Sequence, residues 1–368
     1  MRLPFASRRL QVCVGSGGVG KTTLAATIAV AAAAEGKKTL VCTIDPAKRL
    51  GSALGLGRLG NVETEVAPEL LRAAGLEPRG RLFAMMLDLK RSWDDLIAAY
   101  ARSPEQRDRI YANRYYQQLS SAVAGSQEYV AVEKLYELAL QRDYDQIVLD
   151  TPPTAHALDF LDAPKRVLDF LDNDAAKWLL TPALTAGKMG LSILGFGGGR
   201  LVKGISRFTG LETLRELADF MLSLSGMYEG FKDRAARVKA LLSGPEASFV
   251  LVTSPQPLTV GEALFFHEQL GKYGLHVGAV IANRVSPPTG APEEAALARA
   301  LAGVPPELAG RLREAIADAD TLWRNDQEQI ERLRKQGLSP ICLARRETDV
   351  HDLPALKSLA EELERVSA

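Results

Sequence analysis

Nine consecutive residues carry the densest chemistry in the chain: Gly15, Ser16, Gly17, Gly18, Val19, Gly20, Lys21, Thr22 and Thr23. Glycines let backbone N–H groups crowd around a phosphate and tolerate positive φ. A lysine at Lys21 would bridge the β- and γ-oxygens of a nucleoside triphosphate, and a hydroxyl at Thr22 would ligate Mg²⁺. Gly15 to Thr22 fits the Walker A spacing G-x-x-x-x-G-K-[ST]. The plain alternative is a structural glycine turn. Context decides between them, because the motif requires a strand before the loop and a helix after it.

That context is present. Residues 10–15, LQVCVG, form a short apolar run rich in β-branched residues, which predicts a buried parallel strand. The string LAATIAVAAAAEG follows the loop and predicts an Ala-rich helix ending at Gly36. A second strand, KKTLVCTID over 37–45, ends in Asp45. An acid at that end of a parallel strand, beside a phosphate loop, either positions an attacking water or caps the next helix. A third strand, YDQIVLD over 144–150, ends in Asp150, the Walker B arrangement that places an acid near Mg²⁺, usually through water.

Composition sets the bounds. The 368 residues allow one large domain or two ordinary ones. Lys plus Arg and Asp plus Glu each total 45, so bulk charge does not hold this chain on nucleic acid or anionic lipid. Hydrophobic residues at 46% and charged residues at 24% describe a globular chain. Cys13, Cys42 and Cys342 are far apart and match no metal spacing, which predicts core thiols in a reducing cytoplasm. The longest uncharged apolar run, Leu24 to Ala34, is too short to span a membrane. No apolar signal core follows the basic N-terminus, so the expectation is a soluble, cytoplasmic protein without direct membrane insertion.

The strings GSGGVGKTT, TIDPAKRLGSALG and VLDTPPTAHALDFLDAP together resemble the ArsA-type ATPase family. That family includes the arsenite-pump ATPase and the ATPase that targets tail-anchored membrane proteins. It belongs to the dimeric deviant-Walker P-loop ATPases, with MinD and ParA as cousins. PEASFVLVTSPQPLTVGEALFFHEQL and VGAVIANRV extend the resemblance over nearly the whole chain, most weakly over residues 175–230. The resemblance implies ATP hydrolysis with Mg²⁺. It makes the Asp45 segment switch I and the Asp150 segment switch II. It implies that Lys21, Thr22 and Thr23 line the phosphates, that Thr22 and Asp150 serve Mg²⁺, and that Asp45 orients the water. His156 would relay nucleotide state, and Asn283 would hydrogen-bond adenine, since an amide offers both donor and acceptor. From the residues alone, a packing role for His156 and a loop-capping role for Asn283 stay open. Arg345 and Arg346 fall where the family has an adenine-side loop.

Departures from the family are informative. The family loop usually has a lysine, reaching across the dimer, where this chain has Ser16. Its loss implies slow hydrolysis or a replacement cation, for which Lys48, Arg49 or a partner subunit is a candidate. A bacterial branch shares GSGGVGKTT with DPA-[basic]-RL and DTPP, and some of its members occur as paired paralogues. A homodimer or a heterodimer with a paralogous ATPase is therefore expected. The zinc-clamp CxxC and the arsenite-binding cysteines have no counterpart, and a single Walker A motif gives one site per chain.

The expected fold is α/β: a mostly parallel P-loop NTPase sheet flanked by helices, with an α-helical insert subdomain. A single ATPase domain over 8–368 would carry the insert from 88–142 and 158–242. The first piece is rich in charge and Tyr at helical spacing. The second is apolar and broken by glycines from Gly187 to Gly204, with Trp178, Leu184, Met189 and Phe196 around the break. It reads either as a helical subdomain packed on itself or as a groove for an apolar partner helix, such as a hydrophobic protein client. Six methionines in the whole chain weigh against a Met-lined groove. A last helix from Leu353 puts Leu356, Leu359 and Leu363 on one side and acids on the other, unlike a basic membrane-targeting helix, so it is expected to pack on the sheet. A weakly hydrolysing, nucleotide-controlled binding module and a ParA- or MinD-like positioning ATPase are the competing readings. Neutral charge and the acidic last helix disfavour the second of these.

Overall fold

The computed structural model describes residues 1–44, 49–77, 79–122, 126–151, 216, 220, 223, 228–290 and 294–367. The chain divides into two compact units. One comprises Met1–Leu87, Arg142–Leu158 and Leu242–Ala368, and the other Asp88–Gln141 and Asp159–Leu241. The expected apolar break around Trp178 to Phe196 lies outside the described residues.

The strands are β1 (Leu10–Gly15), β2 (Lys38–Thr43), β3 (Thr64–Glu65), β4 (Arg81–Met86), β5 (Gln146–Asp150), β6 (Ala247–Thr253), β7 (Val277–Val285) and β8 (Pro340–Ala344). They form one sheet in the order β3-β4-β2-β5-β1-β6-β7-β8. Every pairing is parallel except β3 with β4. The fold is therefore α/β with a mostly parallel sheet, as the sequence predicts. β1, β5 and β6 are buried along their whole length, which is why they read as unbroken apolar runs rather than alternating ones. Parallel pairing also brings the C-terminal ends of β1, β2, β5, β6 and β7 to one edge of the sheet. Register fixes the neighbours there: Asp150 pairs with both Cys13 and Thr43, and Gly15 pairs with Val252.

Among the helices, α1 (Lys21–Glu35), α2 (Arg49–Ala53) and α3 (Pro68–Ala73) lie in the first unit. The helices α4 (Leu89–Tyr100), α5 (Pro104–Ala112), α6 (Arg114–Ala122) and α7 (Ser126–Gln141) follow, and α8 (Tyr228–Ser243) leads into β6. The first unit ends with α9 (Pro257–Lys272), α10 (Glu294–Ala300), α11 (Pro306–Lys335) and α12 (Leu353–Ser367). Leu24 to Ala33 of α1 are all buried, so this helix is apolar on every side. Its run of alanines lets it sit between the sheet and α12. It ends at Gly36, whose left-handed backbone, φ +107°, closes the last turn. Leu353, Leu356, Leu359 and Leu363 of α12 are buried against α1 and β8. Among the described residues no helix is long and apolar enough to cross a membrane.

The described part of the second unit is helical and rich in polar anchors. Asp88 caps α4 by accepting from the Arg91 N–H at 3.0 Å, and Ser103 caps α5 through the Gln106 N–H. Tyr116 is fully buried, and its hydroxyl donates to Asp94 Oδ1 at 2.6 Å. Burial and this bond drive the Tyr116 phenol pKa far upward, so it stays a donor. Glu133, itself buried, accepts from Arg234 at 2.8 Å, and the guanidinium lies over the rings of Tyr100 and Tyr136. This half-buried ion pair ties α7 to α8.

The α1–α12 packing generates a stability test. Leu356 has no exposed surface, so Leu356→Ala is expected to lower the unfolding free energy by about 2–5 kcal/mol. Urea denaturation followed by circular dichroism reads the change.

Candidate functional site

The loop between β1 and α1 is fixed from below by steric fit. Gly15 has φ +149°, and a Cβ there would overlap the Val252 carbonyl oxygen of β6. Only glycine lets β1 and β6 close to that distance. Gly17 and Gly18 are exposed, whereas Ser16, Val19 and Lys21 are buried. Gly20 turns the chain into α1 with φ +100°, and no side chain caps that helix start. The first turn of α1 carries the positive end of the helix dipole beside the loop.

Lys21 Nζ donates to the Ser16 carbonyl at 2.7 Å, which curls the ammonium back over the loop. Thr22 Oγ1 donates to Asp150 Oδ2 at 2.7 Å, and Thr43 Oγ1 donates to the same oxygen at 2.8 Å. Asp150 has no exposed surface. A buried carboxylate needs such donors, and here they come from α1 on one side and β2 on the other. Thr23 sits one residue on in α1, where its carbonyl accepts from Thr27 Oγ1. Burial, reinforced by the Asp150 charge, pushes the Cys13 thiol pKa up, so it behaves as a packed neutral group. Cys13 and Cys42 are buried and Cys342 is half-buried, and none of the three is in a disulfide.

The donor set suits a hard cation. A hydroxyl and a carboxylate meet at Thr22 and Asp150, and Mg²⁺ takes one or two such groups plus phosphate oxygens and water. Among the described residues there is no cluster of three His, Cys, Asp or Glu side chains to hold a metal without a ligand's help. A Mg²⁺ ion that arrives with a polyphosphate fits this arrangement.

Asn283 lies at the end of β7, against the loop. Its Nδ2 donates to the Val19 carbonyl at 2.8 Å, and its Oδ1 accepts from the Arg284 N–H at 3.0 Å. Arg49 is exposed at the start of α2. Asp45, Lys48 and His156 lie outside the described residues. Arg345 donates its N–H to the Val285 carbonyl, and the Arg346 guanidinium is held by Glu362 at 2.7 Å and by Ser358. Arg346 therefore ties the chain after β8 to α12.

Sequence reasoning missed three contributors. Glu262 of α9 accepts a hydrogen bond from the Ser16 hydroxyl through Oε2. Thr43 supplies a hydroxyl to Asp150, and Thr151 donates its hydroxyl to the Cys13 carbonyl at 2.7 Å, bracing β5 against β1. Thr43 had a local signal, a hydroxyl two residues before Asp45; β2 ends at Thr43, short of the 37–45 strand expected from the sequence. Glu262 had none, since it lies 246 residues from Ser16.

Comparison with known proteins follows the same lines. A family model described as anion-transporting ATPase matches residues 9–195, half of the chain. The chain is 31% identical over 283 residues to an uncharacterised protein of Streptomyces coelicolor, covering 76% of this chain and 63% of that one. It is 27% identical over 272 residues to ATPase GET3A of Arabidopsis thaliana, covering 74% of this chain and 65% of the relative. It is 26% identical over 279 residues to ATPase GET3 of Malassezia globosa, covering 76% and 73%. The match thus spans less than two thirds of the Streptomyces and Arabidopsis proteins.

The Asp150 cluster can be tested apart from any ligand. Thr43→Val keeps shape but removes one of the donors to the buried carboxylate. It is expected to cost about 1–3 kcal/mol of stability in denaturant unfolding. A cost near zero would mean that Thr43 does not help to hold the acid.

Proposed function

This chain belongs to the anion-transporting, ArsA-type ATPase family, and from that membership we propose a Mg²⁺-dependent ATP hydrolase that works as a dimer in the cytoplasm. The observation that supports it most is the bond from Thr22 to Asp150, which brings the hydroxyl after the loop lysine to the acid that ends β5. In this reading the loop N–H groups and the start of α1 bind the phosphates. Lys21 leaves the Ser16 carbonyl to neutralise β- and γ-oxygens. Thr22 and Asp150 would hold Mg²⁺, which when bound would neutralise phosphate charge. Asp45 orients a water towards the γ-phosphorus; the water oxygen bonds to phosphorus as the bridging P–O bond breaks towards ADP. Asn283 recognises adenine, with its second N–H and remaining lone pair still available. His156 carries the nucleotide state towards the helical insert of 88–142 and 158–242, and the insert holds a hydrophobic protein client. No nucleic acid and no membrane insertion enter this reading.

A second reading has its own support. Ser16 meets an acid, Glu262, where the family resemblance has a lysine. A loop without that cation hydrolyses slowly by itself, so the chain would act as a nucleotide-controlled binding module whose rate is set by a paralogous partner subunit. Lys48 and Arg49 are the alternative sources of the cation within this chain.

Steady-state phosphate release decides the central claim. The full chain with Mg-ATP is expected to turn over, and chelating Mg²⁺ is expected to stop it. Lys21→Ala should lose nucleotide binding. Asp45→Asn should bind ATP but turn over about a hundredfold more slowly or worse. Undiminished turnover in Asp45→Asn would remove that residue from the mechanism. Low turnover alone that rises with a paralogous subunit would select the second reading.

A further inference from the structure

Asn283 is committed on both ends of its amide. The donor Nδ2 bonds the Val19 carbonyl at 2.8 Å, in the phosphate loop, across 264 residues of sequence. The acceptor Oδ1 takes the Arg284 N–H at 3.0 Å. Two further features hold the amide in this posture. Arg284 has φ +63° and is the non-glycine residue with a positive φ among the described residues. A left-handed backbone at such a side chain persists only where its surroundings fix it. It falls where the β7–β8 register shifts, between Ala282 and Val285. On the loop side, Gly20 leaves the space the amide fills, since a Cβ there would overlap Asn283 Nδ2.

We propose that Asn283 is a positioning residue for the phosphate loop: it braces the Val19–Gly20 turn from the end of β7, and the left-handed Arg284 aims it. This rests on the nucleotide-binding reading and deepens it. Its consequence is that base and phosphate recognition share one side chain. The Val19 carbonyl is turned onto Asn283, so the peptide N–H groups of the loop keep their orientation towards a phosphate. Asn283 then contributes to binding a polyphosphate that has no base at all. A residue that only contacts adenine would not.

The test titrates the full chain with Mg-ATP and, separately, with Mg-tripolyphosphate, by calorimetry. Asn283→Ala is expected to weaken tripolyphosphate about three- to tenfold, the size of one net hydrogen bond, and ATP by at least that factor because ATP also loses the base contact. Weaker ATP with unchanged tripolyphosphate would overturn the proposal and leave a base contact only. Unchanged affinity for both would also overturn it. A second pair of variants carries the test if the alanine variant does not fold. Arg284→Gly and Arg284→Val remove the same charge, but only glycine accepts the left-handed backbone readily. The valine variant is expected to bind tripolyphosphate several-fold more weakly than the glycine variant, and equal affinities would overturn the brace. A wild-type chain that binds neither ligand would remove the nucleotide reading itself, and the brace with it.

Discussion

A carboxylate with no exposed surface has to be held by donors, and Asp150 is held by two hydroxyls that belong to different parts of the fold. Each of these donors offsets part of the cost of taking the carboxylate out of water. Thr43 reaches it from the end of β2, and Thr22 from the first turn of α1. The acid therefore locks three elements together at one edge of the sheet: β5, which carries it, β2, and the helix that follows the loop. The Ala-rich interior of α1 depends on the same arrangement. A helix with large side chains would stand farther from the sheet, and Thr22 would not reach Asp150.

The opposite side of the loop is fixed by different physics. Gly15 touches the Val252 carbonyl of β6 through the absence of a Cβ, Ser16 is tied to Glu262 of α9, and Val19 is tied to Asn283 of β7. Steric fit and neutral or singly charged hydrogen bonds serve here, whereas a buried charge serves on the β5 side. The division follows strand order. β1 has β5 on one flank and β6 on the other, so it sits where the chain's progress across the sheet reverses. Ligands of open α/β sheets bind at such a position because the loops on its two flanks diverge.

What could be read from the sequence follows the same division between local and distant. The run LQVCVG, the glycine string and the Ala-rich helix are contiguous, and each is diagnostic by composition over a few residues. Asp150 could be placed because a buried parallel strand ends on it. β4, RLFAMM, gave little notice: it has no β-branched residue, alanine is depleted in strands, and only half of its residues are buried. The Ser16–Glu262 and Val19–Asn283 contacts were out of reach for another reason. Their partners lie 246 and 264 residues apart, and nothing in the composition around them encodes the contact. Cys13 and Cys42 were legible as core residues because they lie inside apolar strands. The chain after β8 was not: Arg346 turns to Glu362 and Ser358 of α12.

The pairing of Ser16 with Glu262 changes the charge balance at the loop. A lysine there would add a cation beside the phosphates, whereas a carboxylate adds an anion. At separations of a few ångströms and an effective dielectric constant near 20, each such charge is worth a few kcal/mol. Lys21 and the start of α1 carry the positive charge that the loop region itself supplies. The Glu262 side can hold the loop's shape but cannot draw in the ligand. A substitution on the β6–β7 flank should act through the posture of the loop, and one on the β5 flank through charge.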